Sequence, residues 1–217
     1  MIERPRPFYE QAYHAIKRMI FEGKLKPGEQ IAEAKLANEL GVSKGPLREA
    51  IRVLEKEGLM IVNPRLMVYK PTIKDVEEIY FCRIALESSA AGEIANTASG
   101  EELKLIEDIL KNTEVALKAL DHSKVISLNE KFHELIVQLT HNNKLYKMIS
   151  DLNNVIHFYR VLSYEGKTRA ENILKQHQQV FHFIKEGDEE QASKAMAKHL
   201  RSDLEHLINI MNKNNFS

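Results

Sequence analysis

The sequence contains one cysteine in 217 residues, Cys82, so it cannot form an internal disulfide and a reducing compartment is expected. It has no long uncharged apolar run. Candidates such as Leu59-Met60-Ile61-Val62 fall far short of the roughly 18–20 residues needed to cross a bilayer. The opening stretch, MIERPRPFYEQ, carries charges and no apolar core, so it does not read as a signal peptide. Catalytic signatures are also missing. There is no HExxH, since the nearest look-alike is His133-Glu134 followed by Leu-Ile-Val, and no glycine-rich phosphate loop, serine elbow or paired-carboxylate signature. Cys82 lies in the apolar stretch YFCRIAL, where a buried structural thiol is expected rather than a nucleophile. Net charge is zero, with 31 Lys and Arg against 31 Asp and Glu. Hydrophobic residues at 43% and charged residues at 29% describe a globular protein of one or two domains, with a cytoplasmic location and no membrane partner expected.

The neutral total conceals an uneven distribution. Residues 1–70 hold 13 Lys and Arg against 9 Asp and Glu, a surplus of four positive charges, while residues 71–217 hold 18 against 22. Of nine histidines, His14 alone lies in the first part. A basic head on an acidic, histidine-rich body predicts two jobs, with polyanion binding at the head.

In the head, residues 8–22 place Phe8, Ala12, Ala15, Ile16, Met19 and Ile20 at helical spacing, and Gly23 ends the run. Pro27-Gly28 marks a turn, a short helix spans 33–40, and Gly41 ends it. Ser43 suits an N-cap whose hydroxyl accepts from first-turn N–H groups, and the next helix spans about 44–57 with Pro46 in its first turn. Leu47, Ile51 and Leu54 form its buried stripe, and Gly58 stops it. LMIVNPRLMVYKP reads as two short strands about Asn63-Pro64-Arg65. Helix, helix, turn, helix, hairpin is the order of a winged helix-turn-helix. Its recognition helix lies in a DNA major groove with its N-terminal side chains at bases and phosphates, which here are Ser43, Lys44, Gly45, Arg48 and Arg52.

Residues 73–217 show no strand-like alternation and few breakers, so the fold class is mainly α: an all-α bundle follows the winged head. Six helices are expected, over 73–97, 101–120, 122–140, 143–164, 168–186 and 188–212. Three histidines fall on apolar faces of three of them: His133 near Phe132 and Ile136, His177 near Val180 and Phe181, and His199 near Met196 and Leu200. Asn129 shares a face with His133, four residues away. Three inward imidazoles with an amide oxygen beside one can converge on a divalent metal, the alternative being hydrogen-bonded core histidines. Asp203, four residues past His199, is expected on a solvated face, the alternative being an acceptor that orients the His199 ring, and Tyr159 and Arg160 at exposed or interface positions, the alternative being that they face the cavity.

The stretch from Pro27 to Leu59, PGEQIAEAKLANELGVSKGPLREAIRVLEKEGL, resembles the DNA-binding domain of the GntR family of bacterial transcription regulators through PG, LA-x-x-LGVS and P-x-R-E-A-x-x-x-L-x-x-E-G-L. The resemblance implies DNA contacts by Ser43, Lys44, Gly45, Arg48 and Arg52. Lys44 stands where arginine is commoner, keeping the charge and losing the fork. The usual glycine at the wing tip is absent, and Arg65 is the candidate for minor-groove contact there.

Residues 72–217 resemble the FCD type of effector domain (the FadR branch of the family) in its metal-binding form, through Arg83-Ile84-Ala85-Leu86-Glu87, Asn129-Glu130-Lys131-Phe132-His133, His177, and Glu186-Gly187-Asp188 through Ala192 to His199. The resemblance implies a divalent metal, zinc or nickel foremost, on Asn129, His133, His177 and His199. An aspartate is usual where this chain has Asn129, so weaker affinity or a changed metal preference is expected. It also implies a small organic-acid effector, with Arg83 and Glu87 as candidates to hold it; the alternative is that these two pair with each other as an i,i+4 couple. The whole reads as a ligand-responsive regulator, a repressor, acting as a homodimer on a palindromic operator in double-stranded DNA, with residues 1–71 as the reading head and 72–217 as the effector and dimerisation domain. The alternatives are a regulator that senses metal alone and a metal-dependent enzyme using the histidine-lined cavity.

Overall fold

The computed structural model describes residues 6–164 and 166–214. The chain divides into two compact units, Met1–Pro71 and Thr72–Ser217.

The first unit contains α1 (Phe8–Phe21), α2 (Glu33–Leu40), α3 (Lys44–Lys56), β1 (Met60–Val62) and β2 (Leu66–Val68). Helix α1 buries Ala12, Ile16 and Ile20 at four-residue spacing. Helix α3 buries Leu47, Ala50, Ile51 and Leu54, and the two stripes pack on each other. Their ends are tied by Glu57, which accepts from the Tyr13 hydroxyl at 2.7 Å and from Lys17 at 3.2 Å. Gly41 caps α2 at φ 65, a left-handed conformation that costs a side chain strain and that sets the tight turn into α3. Strands β1 and β2 form an antiparallel wing with Met60 opposite Val68 and Val62 opposite Leu66. The segment after the Pro27-Gly28 turn joins them, with Ile31 N–H donating to Leu66 and Val68 N–H to Glu29.

Among the described residues the second unit holds seven helices where six were expected. They are α4 (Ile73–Thr97), α5 (Gly100–Lys118), α6 (His122–Gln138), α7 (Asn143–Ser150), α8 (Asn153–Leu162), α9 (Lys167–Lys185) and α10 (Glu189–Lys213). The expected helix over 143–164 breaks after Ser150: Leu152 N–H reaches back three residues, to Ile149, and α8 starts anew with Ile156 N–H on the Leu152 carbonyl. No glycine or proline lies between Asn143 and Leu162, so the break left no breaker to read. Caps fix most of the helix starts. Thr72 with Asp75 and Ser99 with Glu102 form capping boxes, and Asp121, Asn142 and Asp188 each accept first-turn N–H groups.

Helices α4 and α10 run antiparallel along each other. Asn96 donates to Glu189 at one end, and Tyr80 and Asp203 border a shared cavity at the other. Gly92 permits the close approach, since a Cβ there would lie 3.3 Å from the Glu189 carbonyl oxygen. The core is built around Ile94, Ile106, Val125, Phe132, Ile136, Val180, Met196 and Leu200. Cys82 is exposed, not buried: the inward stripe of α4 runs through Val76, Tyr80, Arg83 and Glu87, which turns Phe81 and Cys82 outward. Among the described residues no helix is long and apolar enough to cross a membrane.

Ile136 is fully buried and Leu105 is half exposed. Ile136→Ala is expected to cost about 2–5 kcal/mol of unfolding free energy, and Leu105→Ala to stay within about 0.5 kcal/mol. Urea denaturation of both variants checks the placement of the core.

Candidate functional site

Two sites emerge, one on each unit. On the first, Lys44, Gly45 and Arg48 are exposed along the N-terminal half of α3, Arg52 is exposed one turn beyond Arg48, and Arg65 is exposed at the wing turn. Lys44, Arg48 and Arg65 line one open groove together with Gln30, Glu33 and Pro64. Arg48 Nε holds Glu33 at 2.9 Å, and Arg65 Nη1 donates to Gln30 at 3.1 Å. Both contacts are exposed, and surface pairs of this kind contribute about 0–1 kcal/mol, so both side chains can be redirected to a ligand. Ser43 occupies the N-cap position, but its hydroxyl makes no cap hydrogen bond, contrary to expectation. The first turn of α3 is therefore left without a side-chain cap, which suits an anion approaching the positive end of the helix.

The second site is buried. His133 of α6, His177 of α9 and His199 of α10 converge: His199 Nε2 lies 3.1 Å from His177 Nε2 and 3.2 Å from His133 Nε2. Two tautomers follow from their other partners. His133 Nδ1 lies 2.5 Å from Glu87 Oε2, and His199 Nδ1 lies 2.8 Å from Gln176 Oε1. A carboxylate and an amide oxygen only accept, so both rings carry the proton on Nδ1 and present an Nε2 lone pair to the cluster. His177 is stacked on Phe132 at 4.0 Å between centroids, which fixes its plane.

Burial pushes the pKa of each imidazole down. His177 is lowered well below the ordinary imidazole value, with the neighbouring His199 and His133 adding to the effect. His199 falls to about 3 although Asp203 opposes the shift, and His133 falls although Glu87 does. The lone pairs of His133 and His199 face each other at 3.2 Å, an unfavourable contact between two neutral rings by themselves and a suitable one around a cation. Asn129 Oδ1 points to the same conclusion, being buried with no hydrogen-bond partner on the wall of the adjoining cavity.

That cavity is about 30 Å³, lined by Tyr80, Asn129, His133, Arg160, Tyr164 and Asp203 among others. Arg83 and Glu87 form the i,i+4 couple at 2.8 Å, both about 1% exposed. Burial alone would raise the Glu87 pKa, but Arg83 and His133 beside it hold it well below the carboxylate range. Arg83 is left with Nη1 and Nη2 buried and unpartnered. Asp203, expected on a solvated face, is 14% exposed and paired with Arg169. Burial pushes it up too, yet His199 and Arg169 leave it lowered. Tyr159 is buried and Arg160 lines the cavity; both were expected outside because α8 offers apolar residues on several sides. Gln176 and Arg169 were not singled out in the sequence at all. The only hint for Gln176 was its place beside His177, and for Arg169 there was none.

A helix-turn-helix with a wing, followed by a helical unit with a buried histidine cluster, defines a class of two-part DNA-binding regulators. Residues 8–68 match the family "Bacterial regulatory proteins, gntR family", and residues 78–202 match the FCD domain. The chain is 41% identical over 213 residues to the HTH-type transcriptional regulator YdhC of Bacillus subtilis, covering 97% of this chain and 95% of the relative. It is 25% identical over 210 residues to the HTH-type transcriptional repressor RspR of Escherichia coli, covering 96% and 92%. Among solved structures, Escherichia coli McbR/YncC superposes with a TM-score of 0.76 at 22% identity, covering 94% of this chain and 99% of that one. A regulator from Rhodococcus gives 0.78 at 19%, covering 93% and 97%. The chain belongs to the GntR family of transcriptional regulators, with an FCD domain.

His133, His177, His199, Glu87 and Asp203 are all shifted down, so the linkage of these five groups has one sign. Each imidazole contributes stability above its unfolded pKa near 6.5 and loses it as pH falls toward the folded value; Glu87 and Asp203 do the same below about 4. The chelator-treated protein is expected to show a lower urea midpoint at pH 5 than at pH 7.5. An equal or higher midpoint at pH 5 would show that these groups are not buried as described.

Proposed function

We propose that the chain is a ligand-responsive repressor that acts as a homodimer on a palindromic operator in the cytoplasm, its helical unit holding a divalent metal and a small carboxylate effector. The observation that carries the reading is the convergence of His133, His177 and His199 with their Nε2 atoms turned to one point. With Asn129 these residues would hold the ion, which supplies a Lewis-acidic centre with positions left for an anionic ligand. Zinc and nickel both suit imidazole ligands. Arg83 would hold the effector's carboxylate through the two nitrogens it leaves unpartnered, while Glu87 is occupied with Arg83 and His133. Arg160 adds a second guanidinium on the cavity wall.

At the head, Lys44, Arg48 and Arg52 would meet phosphates and base edges in the major groove, and Arg65 the minor groove beside the wing. A dimer doubles these contacts and matches a two-fold operator. Effector and metal act by binding two arrangements of the protein unequally, since only differential affinity shifts such an equilibrium.

One observation favours a second reading. A cavity of about 30 Å³ takes an ion with roughly one or two waters. An organic acid needs it to open, whereas a sensor of metal alone does not. The two separate on whether metal by itself changes operator affinity.

Purified without a histidine tag, the protein is expected to carry about one zinc or nickel per chain by elemental analysis, lost on chelation and absent from His177→Ala. A metal-free preparation that does not take up either ion would overturn the metal half of the reading. On operator DNA selected from a random duplex library, Arg48→Ala and Arg52→Ala should each cost about 1–3 kcal/mol of binding free energy. Wild-type affinity in both variants, with circular dichroism unchanged, would remove α3 as the reading helix.

A further inference from the structure

The donor set on α6 and its partners is electrically neutral: three neutral imidazoles and the amide of Asn129. Around it lie Arg83, Arg160 and Arg169, the first with two nitrogens unpartnered and the last with Nε unpartnered. A divalent ion placed among these cations needs a carboxylate close by. Glu87 is spent on Arg83 and His133, and its Oε2 reaches the Nδ1 side of His133, away from the cluster.

The geometry points to Asp203 as the anionic ligand of this metal centre, taking from α10 the role that a carboxylate at position 129 would have filled from α6. With metal–ligand bonds of about 2.0–2.2 Å, neighbouring donors on one ion lie about 3.0–3.5 Å apart. His199 Nε2 has three neighbours in this range: His177 Nε2 at 3.1 Å, His133 Nε2 at 3.2 Å and Asp203 Oδ2 at 3.5 Å. Asp203 sits one helical turn beyond His199, so both project from the same face of α10. Its other oxygen is held by Arg169. That leaves Oδ2, on the His199 side, as the oxygen to meet the ion. This assignment rests on the metal reading above and specifies which side chain makes the site charge-balanced.

The test compares zinc affinity, by competition with a chromophoric chelator, in the full-length protein and in Asp203→Asn, Arg169→Met and Asn129→Ala. Asp203→Asn is expected to bind zinc about tenfold or more weakly, at least the loss seen on removing an outer partner of a metal ligand. It should also alter the visible absorption bands of the cobalt(II)-loaded protein, which report the ligand set. Arg169→Met removes the same ion pair and keeps the carboxylate, so it should bind zinc as tightly as the unaltered chain or more tightly. Equal losses in Asp203→Asn and Arg169→Met would assign Asp203 a structural role and overturn the proposal. So would an unchanged cobalt spectrum in Asp203→Asn together with a changed one in Asn129→Ala, leaving the metal reading intact. If the unaltered protein takes up no zinc or cobalt, both readings fail together.

Discussion

A single buried carboxylate, Glu87, organises the helical unit. At 1% exposure it accepts from Arg83 on its own helix and from His133 on α6, so it joins two helices through charge in a place water does not reach. Removing one partner of such an arrangement costs about 3–5 kcal/mol, because the remaining charge is left unpaired. The geometry that follows is directional. With its Nδ1–H on Glu87, His133 turns its lone pair toward His177 and His199, and with its Nε on Glu87, Arg83 keeps its two terminal nitrogens open. One acidic side chain thus sets a ring tautomer and leaves two nitrogens of a buried guanidinium without a hydrogen-bond partner.

The two units use charge in opposite ways. On the head, Arg48 and Arg65 rest on Glu33 and Gln30 in exposed contacts that solvent and salt weaken, which leaves them free to exchange those partners for phosphates. In the helical unit the cations and anions are held where few exchanges are possible, and burial has driven the imidazoles neutral. A surface suited to reversible polyanion binding and an interior suited to a tightly held ion therefore occur in one chain. The first lies in the region that matches the gntR family and the second in the region that matches the FCD domain.

Much of the fold was legible in the sequence because its signals are local. The stripe of Leu47, Ile51 and Leu54, the stop at Gly41 and the turn at Asn63-Pro64-Arg65 each depend on residues within a few positions, and the structure has all three. The break after Ser150 was not legible, since its sequence, Asp151-Leu152-Asn153-Asn154, contains no residue that a helix rejects outright. Cys82 was misplaced for a related reason: YFCRIAL is apolar on several sides, and only the packing of α4 on α10 decides that Tyr80 and Arg83 turn inward while Phe81 and Cys82 turn out.

By itself, the sequence determined which residues are ionisable and which helical face each one shares with its neighbours, because covalent order and a 3.6-residue period are enough for that. It therefore marked His133, His177 and His199 as inward-facing and the start of α3 as basic. Which inward groups meet was decided only by tertiary structure. The partnership of Gln176 with His199, of Glu87 with His133 and of Asp203 with Arg169 spans 23, 46 and 34 positions. At such separations, contact is set by how helices pack and which charges must be neutralised away from water, and no local spacing encodes it.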